Sequence, residues 1–169
     1  MLDAPDRDRP VEVLRWYPGS PRTADLTVLL TGYHLRTEAE KGDAPDGVAG
    51  LPERYRREVL DPAAAYAGCT VVLAAVAGRA VACVVLTAPL DGCSEVKRLW
   101  VDPTARRRGI AAALLEEVAG AAREAGADTL RLSVWRWRGP AVALYRQAGF
   151  EVVPPWGPRE GLLCMQRRL

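Results

Sequence analysis

The sequence contains no asparagine and a single histidine, His34. One imidazole excludes a His-rich metal centre, and any Ser-His-Asp or Cys-His triad would have to use that residue. Lysine is also scarce: of 23 basic residues, only Lys41 and Lys97 are not arginine. This bias reads as the mark of a GC-rich coding sequence rather than of a ligand. Charge of one sign is not in excess either, since 21 acidic residues leave a formal net charge of only +2. Bulk charge therefore gives no reason to expect a nucleic-acid partner. The four cysteines, Cys69, Cys83, Cys93 and Cys164, contain no C-x-x-C pair. Free thiols in a reducing cytoplasm, and no metal, are the expectation. The N-terminal MLDAPDRDRP lacks the apolar stretch of a signal peptide, so the mature chain is expected to start there.

One long apolar run is present, CTVVLAAVAGRAVACVVLTAPL over residues 69–90. Its centre is Gly78-Arg79, and an arginine in mid-bilayer costs roughly 2.5–3.5 kcal/mol on insertion scales. A glycine opening a two-residue loop fits a type II′ hairpin instead, with no membrane span. The rest is ordinary for a globular protein, 169 residues with 49% hydrophobic and 26% charged, and points to one domain over 1–169.

Periodicity gives the organisation. Apolar and polar residues roughly alternate over Val11 to Tyr17, which predicts a strand. A helical pattern follows from Thr23 to Lys41, with Leu26, Leu29, Leu30 and Tyr33 on one face and Gly42 as a stop. After a loop over 42–50, Pro52 is placed as a first helical residue, Tyr55 and Val59 recur at i and i+4, and Asp61-Pro62 ends that helix. The hairpin comes next, then a strand from Glu95 to Val101, a helix from Gly109 to Ala125 and a strand from Thr129 to Trp135. A short helix over Pro140 to Ala148 and two strands, Phe150 to Val153 and Leu162 to Arg167, finish the chain. The order β-α-α-β-β-β-α-β-α-β-β predicts an α/β (α+β) fold, a mixed sheet with helices on both faces.

The chemistry concentrates in VKRLWVDPTARRRGIAAALLEEV, residues 96–118. A strand runs into three arginines, a glycine and a helix of small residues. Gly109 lets the backbone approach a ligand closely, and Ala111 leaves the first helical turn unobstructed. Amides from about Arg107 to Ala111 would be unpaired, because the first N–H groups of a helix have no internal acceptor. With the positive end of the helix dipole they form an anion site suited to a pyrophosphate. Arg106, Arg107 and Arg108 add charge. There is no Gly-Lys-Ser/Thr and no G-x-G-x-x-G, so this is neither a Walker loop nor a dinucleotide fingerprint.

Arg106-Arg107-Arg108-Gly109-Ile110-Ala111 resembles the Q/R-x-x-G-x-G/A motif of the GNAT superfamily of acyl-CoA-dependent N-acetyltransferases. GPAVALYRQAGF, residues 139–150, is similar to that family's P-A-x-x-L-Y-x-x-x-G-F block. The resemblance spans nearly the whole chain and implies a GNAT-type fold with acetyl-CoA as co-substrate. It places the pyrophosphate on the amides of Arg107 to Ala111, including Ile110. The pantetheine arm would pair with the backbone of Leu99, Trp100 and Val101, at a splay beside the following strand. It makes Tyr145 the group facing the thioester sulfur, the family's usual general acid, and Glu95 the general base; the acidic Glu38 of the first helix is a second choice of base on its chemistry alone. Where the family often has asparagine, this chain has Arg138, which would reach a phosphate or face solvent.

The implied reaction moves an acetyl group to a primary amine by direct attack in a ternary complex. Tyr33, His34 and Glu38 are the candidate acceptor-binding residues, and the acceptor is expected to be a small-molecule or peptide amine. Acidic residues in YHLRTEAEKG weakly favour a cationic one. Trp100, Trp135 and Trp137 are aromatic enough to line its pocket, whereas Cys93 is discounted as a nucleophile. Two other readings compete. One is an acyl-CoA-binding sensor without turnover. The other takes the arginines at 106–108, 136, 138 and 167–168 as a nucleic-acid patch, against which the near-neutral charge argues. The last strands also offer an edge for pairing as a homodimer across a two-fold axis.

Overall fold

The structure, a computed structural model, describes residues 9–169. The octapeptide MLDAPDRD, with the expected start of the mature chain, lies outside the described residues. Strand β1 (Val11–Trp16) leads into helix α1 (Thr23–Glu40), then α2 (Glu53–Leu60) and a single further turn, α3 (Pro62–Ala65). Strands β2 (Thr70–Val76), β3 (Arg79–Leu86) and β4 (Cys93–Val101) follow, then helix α4 (Ile110–Glu124), β5 (Thr129–Trp135) and α5 (Gly139–Gln147). The chain ends with β6 (Glu151–Val153) and β7 (Leu162–Arg168). The mixed sheet has the order β1-β2-β3-β4-β5-β7-β6.

Both faces of the sheet are covered, because β2 and β3 are apolar at every position after their first residues, Thr70 and Arg79, and successive side chains point to opposite faces. On one face Leu26, Leu29 and Leu30 of α1 and Tyr55 and Val59 of α2 pack on Val71, Leu73, Cys83 and Val85. On the other, Ile110, Leu114, Leu115, Val118 and Ala122 of α4 pack on Val72, Ala74, Val84, Leu130 and Leu132. The four cysteines are free, and burial pushes the Cys83 thiol up to about 12. Among the described residues no helix is long and apolar enough to cross a membrane.

Three local expectations are corrected. The hairpin loop is Ala77-Gly78, one residue earlier than expected, since Val76 pairs with Arg79. Both loop residues have positive φ, 49° and 78°, which makes a type I′ turn; its twist matches that of the flanking strands. Pro52 is the residue before α2 rather than its first, with an extended ψ of 142°. The pair Asp61-Pro62 ends α2 but also starts α3, because the Asp61 side chain accepts from the Ala64 amide at 3.1 Å.

The sheet is interrupted at one place. Strands β4 and β5 are parallel and pair only at Cys93, Ser94 and Glu95. Beyond Glu95 they diverge. There β4 also bulges: Arg98 and Leu99 together stand opposite Val84, and Arg98 takes a φ of 54°.

Candidate active site

The divergence opens a cleft of 270 Å³ between β4 and β5, walled by α1, α2 and α5. Glu95, Val96 and Leu99 of β4 line one side, and Ser133, Val134 and Trp135 of β5 the other. Tyr33 and His34 reach it from α1, Tyr55 from α2, Tyr145 from α5 and Arg138 from the residue before α5. A larger but shallower depression over α2 and α3 shares no residue with it.

The anion turn lies just past the end of β4. Asp102 and Pro103 stop the strand, with the Asp102 carboxylate accepting from the Thr104 amide at 2.8 Å. Arg107 and Gly109 both take left-handed φ, 62° and 74°. Gly109 precedes α4 without any side-chain cap, and the helical ladder begins with the Ala113 amide donating to the Gly109 carbonyl at 3.0 Å. The earlier amides are therefore the unpaired ones. A Cβ built on Gly109 would meet no atom within 4 Å, so the space above the turn is open to a ligand. Uncapped amides, the helix dipole and that open space fit a pyrophosphate. The neighbouring arginines differ in placement. Arg106 donates to the Val101 carbonyl at 3.1 Å and lies over Trp100. Arg108 donates to the Arg9 carbonyl at 2.9 Å, and Arg107 is exposed.

Tyr145 sits in the cleft wall against Phe150. Burial pushes its hydroxyl well above the usual phenol range, and Tyr33 adds to this. Glu95 lies beside Lys97, 3.4 Å away, with its side chain 20% exposed. Trp135 stacks on Trp137, with ring centroids 4.5 Å apart.

His34 lines the cleft but is buried within the α1 face, stacked on Tyr55 and with its Nε2 donating to the Glu58 carboxylate at 2.9 Å. Burial lowers its pKa, opposed by the Glu58 hydrogen bond. Glu38 stands apart from the cleft: it is buried, pairs with Lys41 and faces a separate hollow with Asp43 and Pro45. Arg138 neither faces solvent freely nor stands at the anion turn. Its Nε donates to Glu40 at 2.7 Å and its Nη2 to the Thr37 hydroxyl at 2.9 Å, tying α5 to α1.

Four residues that sequence reasoning passed over stand here. Glu58 accepts from Arg98, from the Tyr66 hydroxyl at 2.7 Å and pairs with His34. Burial alone would raise the Glu58 pKa, but the Arg98 hydrogen bonds, then His34 and Tyr66, hold it well below the usual carboxylate range. Arg54 and Arg159 also line the cleft. The bulge has a signal in the sequence, the doubled polar pair Lys97-Arg98 that breaks the alternation of β4.

The sequence model of the acetyltransferase (GNAT) family matches residues 33–150. An IAA acetyltransferase of Azospirillum brasilense is 43% identical over 67 residues, 40% of this chain and 44% of that protein. The aligned part thus spans less than half the length of that curated relative. The PaiA N-acetyltransferase of Thermoplasma acidophilum, solved in complex with coenzyme A, has a TM-score of 0.73 at 17% identity, covering 95% of this chain and 99% of that one. A GNAT family acetyltransferase of Elizabethkingia anophelis with acetyl-CoA bound has a TM-score of 0.63 at 19% identity, covering 94% and 98%. These two likenesses concern the fold. The family match covers most of the chain and includes both motifs, and the chain belongs to the acetyltransferase (GNAT) family.

Proposed function

We propose that the protein is an N-acetyltransferase that moves an acetyl group from acetyl-CoA to a primary amine by direct attack within a ternary complex. The observation that carries this reading is the divergence of β4 from β5 beyond Glu95, next to an uncapped α4 N-terminus with open space over Gly109. Amides of Arg107 to Ala111 would hold the pyrophosphate. The free side of β4 at Leu99 to Val101 offers backbone groups for the pantetheine arm and an N–H for the carbonyl oxygen.

Bound acetyl-CoA supplies an acyl thioester: the amine nitrogen forms the new C–N bond, the C–S bond breaks, and the proton lost from nitrogen is balanced by one gained at sulfur. A lysine-like amine has a pKa of about 10.4, so shedding its proton at pH 7 costs roughly 4–5 kcal/mol. Glu95, which lines the cleft, would accept that proton, directly or through water. Tyr145 keeps its own proton, since burial raises its pKa; its part is to donate a hydrogen bond to the departing sulfur. Glu38, which pairs with Lys41 and does not line this cleft, is the weaker candidate for the base.

The test is calorimetric titration with acetyl-CoA, followed by a screen of amines read by thiol release. Saturable binding that Gly109→Glu abolishes, and turnover that Tyr145→Phe lowers, are the expected results. A folded wild-type protein that does not bind acetyl-CoA overturns the reading.

A further inference from the structure

Ionisable side chains lining the cleft are unevenly distributed. Five are cationic, Arg54, Lys97, Arg98, Arg138 and Arg159, and one, Glu95, is anionic. Three of the cations are matched: Arg98 by Glu58, Arg138 by Glu40 and Lys97 by Glu95. Arg54 and Arg159 are exposed and, among the described residues, have no carboxylate partner. Arg54 is also held in place, its guanidinium 4.3 Å from the centre of the Tyr55 ring and donating to the Tyr55 hydroxyl. The anion turn over 106–111 contributes nothing to this lining, so these two arginines are separate from the pyrophosphate site.

We infer that the acceptor is an amine that also carries an anionic group, a carboxylate or a phosphate, read by Arg54 and Arg159. This deepens the acyl-transfer reading and rests on it. A guanidinium fork matches both oxyanions bidentately. Unmatched positive charge disfavours an acceptor whose only charge is an ammonium, and it favours the neutral, nucleophilic form of the amine. The acidic residues of α1 do not offset this, because Glu38 is engaged by Lys41 and Glu40 by Arg36 and Arg138. The rings of Tyr33 and Trp135 in the lining suit an apolar body between amine and anion.

The experiment compares two pairs at saturating acetyl-CoA: phenylalanine with phenethylamine, and phosphoethanolamine with ethanolamine. At least one member bearing the carboxylate or phosphate is expected to exceed its analogue without that group in kcat/KM by about tenfold or more, with the preference shrinking as salt screens the arginines. The pair that shows it distinguishes carboxylate from phosphate. Arg54→Gln combined with Arg159→Gln removes the preference, and Arg54→Lys keeps part of it. Equal or faster use of the members that lack the anionic group, or turnover of none of the four by a protein that binds acetyl-CoA, overturns this inference alone. Failure to bind acetyl-CoA overturns the acyl-transfer reading with it.

Discussion

Arg98 and Glu58 meet fork to fork, with Nε and Nη2 of the guanidinium each donating to one carboxylate oxygen at 2.7 Å. The pair joins α2 to the bulge of β4, and the same carboxylate serves Tyr66 and His34. Both partners are mostly buried, with side chains 21% and 15% exposed. Removing one member of such a pair leaves the other without an acceptor. Glu58→Ala is expected to cost about 3–5 kcal/mol in chemical denaturation. A loss below about 1 kcal/mol, the range of a solvent-exposed ion pair, would show that the network is dispensable.

Acid should weaken the fold in two windows. His34 has a folded pKa below its ordinary 6.5, so the unfolded chain binds the proton more readily. Stability from this group is complete above pH 6.5 and declines as pH falls from there toward the folded value. Glu58, also depressed, adds a second decline below its ordinary 4.5. His34→Gln should flatten the first window and leave the second. Urea denaturation across this pH range reads both, and an unchanged upper window in the variant would refute the assignment to His34.

Ala77 occupies the first loop position of the β2–β3 hairpin with a φ of 49°, a region that alanine visits at a cost and asparagine tolerates. Ala77→Asn produces the Asn-Gly pair preferred in type I′ turns and should stabilise the protein by about 0.5–1 kcal/mol. A higher denaturation midpoint at unchanged slope is the expected reading; no gain would count against the turn geometry.

Tyr145 keeps its proton across the accessible pH range because burial raises its pKa. Tyr145→Phe should lower kcat by about 10²-fold, the scale of one lost donor to a developing charge. The pH profile should keep its shape, since the hydroxyl does not titrate there. An alkaline limb present in the wild type and missing in the variant would mean that Tyr145 itself gives up a proton.

Much of this architecture can be read along the chain where one period dominates. The stripe Ile110, Leu114, Leu115, Val118, Ala122 foretells α4 and its buried face, and Thr129–Trp135 emerges as a strand with the expected bounds. The turn at Gly109 is legible because glycine, an uncapped helix start and clustered arginines fall within a few residues. What stays hidden is made by tertiary proximity. Glu58 and Arg98 are forty positions apart, and nothing local marks Glu58 among the charges of ERYRREVL. Arg138 is solvated or phosphate-bound by local logic, yet α1 returns to meet it at Glu40 and Thr37. The hairpin loop shifts by one residue because strand twist selects the turn, and the composition around Gly78 suits either register.

Three residue pairs join β4 to β5, whereas β5 and β7 share seven. Mechanically the sheet is two antiparallel panels on a short hinge. Native-state hydrogen exchange should find the seam among the first places to open, as sparse pairing leaves little to resist fluctuation. A ligand strand laid along β4 would fasten the panels together, so occupancy and rigidity rise in step: at about 100 times its Kd, such a ligand adds roughly 2.7 kcal/mol to the folded state. The seam where the two panels pair so briefly is also the line along which the proposed co-substrate would join them.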